Sequence, residues 1–402
     1  LFDNFKTIKL IGDFLMKERR LSFLFFLVMF VIGTDTFLVS PLLPTLTQYY
    51  GISTSLSGFI VSAYAVGYMI SALLIGPISD RHDRKRILII GLMVFTLATA
   101  GCGLANTFAM MLVARFVAGV AAATAGPQIW AAIPVLFPKT QVVKVMGYAT
   151  AGLAVAQIVG VPLGSYLAVW SWRFPFFFVG VIALMLTMLV VRFMPSLNEV
   201  TTSRLATGIY RKLFQNKTVL KLLGAYLLFQ TANFCGFAFI GTWFAKSFHL
   251  SVGAIGSFIL LIGVGQFVGS LLGNRLVTWL GQPHAFLLEF LLFIAGYLVL
   301  PFTNSPLTAT VILAFIYTIG GALLPLFMST LQEHAGSARS TISALANAVM
   351  YLGEAIGGVI GGILIKQFTG FSGIAVFTAI GASLAMLLYA QQGYFKQLQT
   401  SR

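Results

Sequence analysis

Short polar breaks divide this chain into twelve apolar runs, each near the roughly 20 residues that an α-helix needs to cross the hydrocarbon core of a bilayer. The runs fall near residues 21–43, 56–79, 86–105, 107–132, 143–168, 172–194, 219–244, 252–274, 284–302, 306–330, 340–365 and 371–391. Inside a bilayer every backbone N–H and C=O must be paired within the protein, so runs of this length predict helices. The expected fold class is an all-α polytopic membrane protein with twelve transmembrane helices. The weakest break is the one around Asn106, between the third and fourth runs. Composition agrees: only 9% of residues are charged, against roughly 25% in soluble domains. Forty glycines suit helices that pack closely in lipid.

The net charge of +15 is not read as a nucleic-acid footprint, because the basic residues cluster between apolar runs and not along one soluble face. Positive residues beside spans set topology and face anionic lipid. An even number of spans puts both termini on one side. If that side is the cytoplasm, all 25 basic residues except Arg115, Arg173, Lys246 and Lys366 fall in cytoplasmic segments. The expectation is a multi-pass protein of the inner (cytoplasmic) membrane, both termini cytoplasmic, working as a monomer. Lys6, Lys9, Lys17, Arg19 and Arg20 precede the first apolar run, so no cleavable signal peptide is expected. Cys102 and Cys235 lie inside apolar runs and read as small core residues, not as a disulfide or a metal site.

Residues 195–218 form the one long polar stretch of the interior and divide the chain near its middle. An offset of 198 residues aligns Val66–Leu74 with Val264–Leu272, Gly160 and Gly164 with Gly358 and Gly362, Pro127 with Pro325, and Asp35 with Asn233. One offset holding across four pairs of spans predicts two pseudo-symmetric six-helix bundles in parallel orientation. The expected organisation is a basic N-terminal segment (1–20), a first bundle (21–194), a cytoplasmic linker (195–218), a second bundle (219–391) and a cytoplasmic tail (392–402).

After the second run comes Gly76-Pro77-Ile78-Ser79-Asp80-Arg81-His82-Asp83-Arg84-Lys85-Arg86. It resembles the signature between spans two and three of the major facilitator superfamily, G-x-L-a-D-r-x-G-r-[KR]-x-x, with Asp83 where the signature has its second glycine. The resemblance implies close helix approach at Gly76, a helix cap or ion pair at Asp80, and cytoplasmic anchoring by Arg81, Arg84 and Lys85. In the fourth run, Arg115-Phe116-Val117-Ala118-Gly119-Val120-Ala121-Ala122 resembles that family's R-x-x-x-G-x-x-x motif. An arginine inside an apolar helix costs roughly 2.5–3.5 kcal/mol by insertion scales. Arg115 therefore needs a carboxylate, a carbonyl or water, unless it snorkels at the outer end. In the fifth run, Gly152 and Gly160-Val161-Pro162-Leu163-Gly164 resemble the G-x-x-x-G-P-x-x-G motif of the family's drug/proton antiporters, with Val161 inserted between Gly160 and Pro162. The glycines permit close helix contact, and Pro162 removes a backbone hydrogen bond and bends the helix. The motifs cover the first half well and leave degenerate echoes in the second. Taken together the chain resembles the twelve-span, multidrug-efflux-like branch of the superfamily.

Of ten acidic residues only Asp35, Glu289 and Glu354 lie deep in apolar runs. Intramembrane carboxylates face a partner or a cavity and are functional candidates by default. Asp35 reads as a proton-coupling site or as the structural partner of Arg115. The resemblance places it in a cavity-lining first span. Glu354 is the second proton-coupling candidate, since Asn347, Tyr351 and Glu354 can share one helix face. Glu289 reads as an exterior acid near the end of a peripheral helix. For substrate binding, amides and rings in the expected pore-lining spans are the candidates: Gln128, Trp130, Gln157, Gln230, Asn233, Gln266, Tyr317, Asn347 and Tyr351.

The resulting expectation is a secondary active transporter that expels drug-like amphipathic compounds by alternating access. It would use a proton gradient and no cofactor, with a small-molecule substrate, protons and the lipid bilayer as partners. An exporter of a sugar, nucleoside or amino-acid-like metabolite, or a lipid flippase, keeps the same fold and stays open. An embedded enzyme or a receptor is the remote alternative. His82, His249, His284 and His334 all fall at loops or span ends with no metal-ligand spacing, and no G-x-x-x-x-G-K-[ST] nucleotide loop is present.

Overall fold

The computed structural model describes residues 2–79, 82–197, 213–335 and 339–395. Their helices are α1 (Phe2–Tyr50), α2 (Thr54–Ser79), α3 (Arg84–Leu104), α4 (Phe108–Leu136), α5 (Lys139–Trp170), α6 (Phe174–Phe193), α7 (Lys217–Phe248), α8 (Val252–Leu280), α9 (Gln282–Val299), α10 (Pro306–His334), α11 (Arg339–Gln367) and α12 (Ser372–Gln391). Each of the twelve contains a stretch long and apolar enough to cross a membrane. Their starts are set by short polar side chains that accept bonds from otherwise orphaned backbone N–H groups. Thr107 caps α4 through Met110, Ser251 caps α8 through Ala254, and Ser305 caps α10 through Thr308. The weak break around Asn106 is a genuine turn between α3 and α4.

Several helices run a turn or so past their expected bounds, α1 and α8 the furthest at their C-terminal ends, and α5 is irregular within. The helix expected to end near 43 continues to Tyr50 through Pro41 and Pro44. Each proline removes a ladder hydrogen bond, but the segment is held from outside. Gly241 of α7 sits so close to Ser40 and Pro41 that a Cβ there would collide with their backbone, and the Ser40 hydroxyl lies within hydrogen-bond distance of the carbonyls of Phe237 and Ala238, 2.8 and 3.1 Å. α5 has a wide π turn at Ala156–Gly160, where the Val161 N–H reaches back five residues to the Ala156 carbonyl. The turn lies directly before Pro162, whose missing N–H is where a regular ladder would fail.

The neighbours repeat when six is added to each helix number. α1 packs on α5 and α7 on α11; α2 on α4 and α8 on α10; α3 on α6 and α9 on α12. The 198-residue offset recurs at atomic level. A Cβ on Gly67 would strike the Phe116 carbonyl, and a Cβ on Gly265 would strike that of Ala314. The first six helices meet the last six mainly through α2–α11, α5–α8 and α1–α7. Along α2 and α11, Ser55 faces Gly362, Gly58 faces Gly358, the Ser62 hydroxyl donates to the Ala355 carbonyl at 2.6 Å, and Tyr68 stacks on Tyr351. These contacts lie toward the end of the molecule that carries the α1–α2 and α11–α12 turns. Past Tyr68, α2 is exposed at Leu73, Leu74 and Ile78. Gly76 lies on that stretch, and a Cβ added there would meet nothing within 4 Å. The close approach expected at Gly76 is therefore absent: α2 still meets α4 at Ser71 and Thr124, but the Gly76 face looks onto open space.

Candidate functional site

At the centre of the first six helices lies an ion pair. Arg115 Nη1 of α4 donates to Asp35 Oδ2 of α1 at 2.8 Å, with side-chain exposures of 1% and 0%. The same nitrogen lies 3.4 Å from the Asp35 backbone carbonyl. Arg115 thus meets the need for a carboxylate and a carbonyl inside the protein, and it does not snorkel. Its guanidinium lies 4.3 Å from the ring centroid of Tyr64 of α2, a cation–π contact in a site shielded from water. The Tyr64 hydroxyl is held at 2.9 Å by Thr36, whose own hydroxyl donates to the Ile32 carbonyl. Groups on α1 and α2 thereby fix the orientation of the α4 guanidinium. Thr36 acts on the guanidinium only through Tyr64.

The pair is incompletely satisfied. Arg115 Nε is buried without a hydrogen-bond partner, and Asp35 Oδ1 has only the Thr99 hydroxyl near it, short of a well-formed hydrogen bond. Buried polar atoms are nearly always paired, so orphans mark places where a proton, a solute or a rearrangement completes the set. Glu354 of α11, 3% exposed, lies within electrostatic reach of Arg115, and its Oε2 is also unpartnered. Beside Glu354 stand Tyr68 and Tyr351, with Asn347 next to the Tyr68 hydroxyl. Asp35 and Arg115 within the first six helices, and Glu354, Asn347 and Tyr351 on α11 of the last six, thus lie within reach of one another. Tyr64 and Tyr68 complete the set. They carry no charge and sit in an apolar run, so the signal available in sequence was their shared helix face at a spacing of four.

The other candidates divide between this region and helix contacts. Gln128 and Gln230 are buried, each with an unpartnered carbonyl oxygen; their amides donate to the Thr124 carbonyl and the Tyr226 hydroxyl at 3.3 and 2.8 Å. Gln157 lies on the π turn with its backbone against Gly263, at the α5–α8 contact. Tyr317 packs edge-on against Phe237, 5.8 Å between centroids, with its hydroxyl beside that of Tyr297. Trp130, Asn233 and Gln266 are half-buried on α4, α7 and α8. Glu289 is not an exterior acid. It is fully buried on α9 with neither carboxylate oxygen partnered. The sequence expectation missed this because α9, though exposed at Leu291 and Leu298, turns the Glu289 face inward, and its main neighbours are α10 and α12.

The conformational motifs also have places. Gly160 lies against Thr34 and Gly164 against Leu38, each so tightly that a Cβ would collide, and Pro162 is buried after the π turn. Lys85 Nζ donates to the Val191 carbonyl at 2.9 Å, and Arg84 opens α3. Asp80 and Arg81 lie outside the described residues. Asp83 does the work the signature glycine would not. Its Oδ1 caps α3 through the Lys85 N–H at 2.9 Å and also accepts from the Leu197 N–H at 3.0 Å.

A helical protein of twelve apolar spans in two sets of six, with a buried Asp–Arg ion pair inside the first set, is a membrane transporter of the kind its family model describes. The chain belongs to the Major Facilitator Superfamily, whose family model matches residues 25–358 and 222–396. It is 44% identical over 368 residues to the uncharacterized MFS-type transporter YceJ of Bacillus subtilis (strain 168), covering 91% of this chain and 94% of that one. It is 26% identical over 340 residues to multidrug resistance protein 1 of the same organism, covering 81% and 85%. The crystal structure of a D-xylose–proton symporter superposes with a TM-score of 0.77 at 17% identity, covering 92% and 97%, a likeness of fold alone.

Proposed function

We propose that this transporter is a proton-coupled exporter of drug-like amphipathic compounds that works by alternating access. The observation that carries the reading is the placement of Asp35 and Glu354, one from each set of six helices, around the single guanidinium of Arg115. A group shared across a seam feels the relative movement of the two sides, and that is what coupling requires. A proton arriving from outside neutralises one of the two carboxylates and weakens the hold on a bound solute. The solute leaves outward, the proton leaves inward, and the cycle repeats. The membrane potential adds roughly 2.3 kcal/mol per charge per 100 mV.

The orphan carbonyl oxygens of Gln128 and Gln230 would accept from a solute's N–H or O–H groups, and the Tyr68 and Tyr351 rings would hold a flat or cationic one. Similarity to a multidrug resistance protein supports the drug reading. Those same amide oxygens favour the second reading, a dedicated exporter of a hydroxyl-rich metabolite such as a sugar or nucleoside. With the termini in the cytoplasm of the inner membrane, the packed end of α2–α11 faces outward and the molecule is inward-facing. A monomer suffices for this cycle.

The test is transport by the purified protein in liposomes under an imposed pH gradient, following a fluorescent lipophilic cation and internal pH together. The proposal expects dye and protons to move in opposite directions. Dye movement that leaves internal pH unchanged overturns the coupling, and counter-movement of protons with a nucleoside or sugar but not the dye selects the second reading.

A further inference from the structure

The cytoplasm-proximal ends of α1 and α5 enclose a cavity of about 720 Å³ that the central site does not use. Farther along, the two helices are tightly joined: Gly152 sits on the Phe26 carbonyl, Gly33 on Leu153 and Ala156, and Gly160 on Thr34. Before Gly152 they part, and the gap is walled by Phe23, Phe26 and Tyr148, with Glu18, Arg19 and Lys144 at its polar end. Phe23 is 62% exposed and Tyr148 47%, so the apolar wall runs out to the surface of the molecule. Phe23 and Phe26 stack with centroids 6.0 Å apart. Glu18 differs from the usual interfacial carboxylate. It is 7% exposed, it lines the cavity, and its Oε1 has no hydrogen-bond partner. Arg19 and Lys144 are exposed beside it.

The apolar run of α1 begins at Leu21, directly after Glu18, Arg19 and Arg20, and Lys144 lies in the second turn of α5, so the polar end sits at headgroup depth. A ligand that fits needs a cationic N–H donor for Glu18, an anionic group for Arg19 and Lys144 within a few ångströms of it, and apolar chains for the rings. We infer that this cavity is a site for a phospholipid whose headgroup carries a primary ammonium beside its phosphate, phosphatidylethanolamine being the simplest. The ammonium donates to Glu18, the phosphate lies between Arg19 and Lys144, and the acyl chains cover Phe23, Phe26 and Tyr148. A choline headgroup carries the same charge but no N–H donor, and a glycerol headgroup lacks the cation.

Native mass spectrometry of the full chain, titrated with phosphatidylethanolamine, its mono- and dimethylated forms, phosphatidylcholine and phosphatidylglycerol, tests this. The expected result is one tight phosphatidylethanolamine with affinity about tenfold above phosphatidylcholine, falling as methyl groups replace N–H donors, as for a lost charged hydrogen bond. Glu18→Gln should remove most of that preference, and Lys144→Ala should weaken both lipids together. Equal binding of phosphatidylethanolamine and phosphatidylcholine, a preference for phosphatidylglycerol, or displacement of the lipid by a soluble lipophilic cation would each overturn the assignment. The methylation series uses the unaltered protein, so it decides even if Glu18→Gln fails to fold.

Discussion

Tyr68 of α2 and Tyr351 of α11 lie face to face, with ring centroids 3.6 Å apart and planes 17° from parallel. They lie on the α2–α11 seam past the Ser62–Ala355 hydrogen bond, with Asn347 beside the Tyr68 hydroxyl. Aromatic pairs contribute about 0.5–1.5 kcal/mol beyond the area they bury, and this one exists only while that end is shut. Tyr351→Ala should therefore raise the population open at the α1–α2 end by roughly two- to tenfold, while Tyr351→Phe keeps most of the stack. Spin labels at Leu56 and Phe368, both exposed near that end, report the change as a longer inter-label distance.

The same seam depends on backbone contact at Gly58 and Gly358, where a Cβ on Gly58 would overlap the Gly358 carbonyl. Small residues let helices touch in lipid, where no hydrophobic force drives them together. Gly358→Leu should hold the seam apart, speeding reaction of an Ala355→Cys thiol with a membrane-impermeant maleimide. Gly76→Leu, at a position where a side chain meets nothing, should leave that rate unchanged.

The Asp35–Arg115 pair is deeply buried, so removing one partner strands the other. Arg115→Met should lower stability by roughly 3–5 kcal/mol, and combining it with Asp35→Leu should recover most of the loss. Denaturant titration of the four proteins as a double-mutant cycle measures the coupling. A near-zero coupling energy would mean that the pair is held apart in solution.

Asp83 caps α3 and anchors the chain after α6 at once. Asp83→Ala should cost about 1–2 kcal/mol, in the range for a lost N-cap, and should speed amide exchange at Lys85 and Leu197. Asp83→Asn, which keeps an acceptor oxygen, should lose far less.

The twelve spans were legible because apolar length is a direct demand of the bilayer, and the repeat because one offset preserved glycines that touch carbonyls in both sets, as at Gly67 and Gly265. Asp35, Arg115 and Glu354 were legible because charge inside an apolar run is rare and must find company. The course of α1 through Pro41 and Pro44 was not, since the propensity of proline to end a helix is overridden by contacts from α7, some 200 residues away. The burial of Glu289 and the role of Asp83 escaped for the same reason: each depends on which helix lies alongside. Gly76 shows the reverse case, a motif glycine whose close partner is not engaged in this arrangement.

The central claim is that a solute and a proton compete at Asp35 and Glu354. The direct measurement is proton release on adding a transported lipophilic cation to the detergent-purified protein in weakly buffered solution, read with a pH indicator. The account predicts release from the wild type, reduced release from Asp35→Asn and Glu354→Gln singly, and none from the double variant although it still folds. Undiminished release from the folded double variant would contradict it.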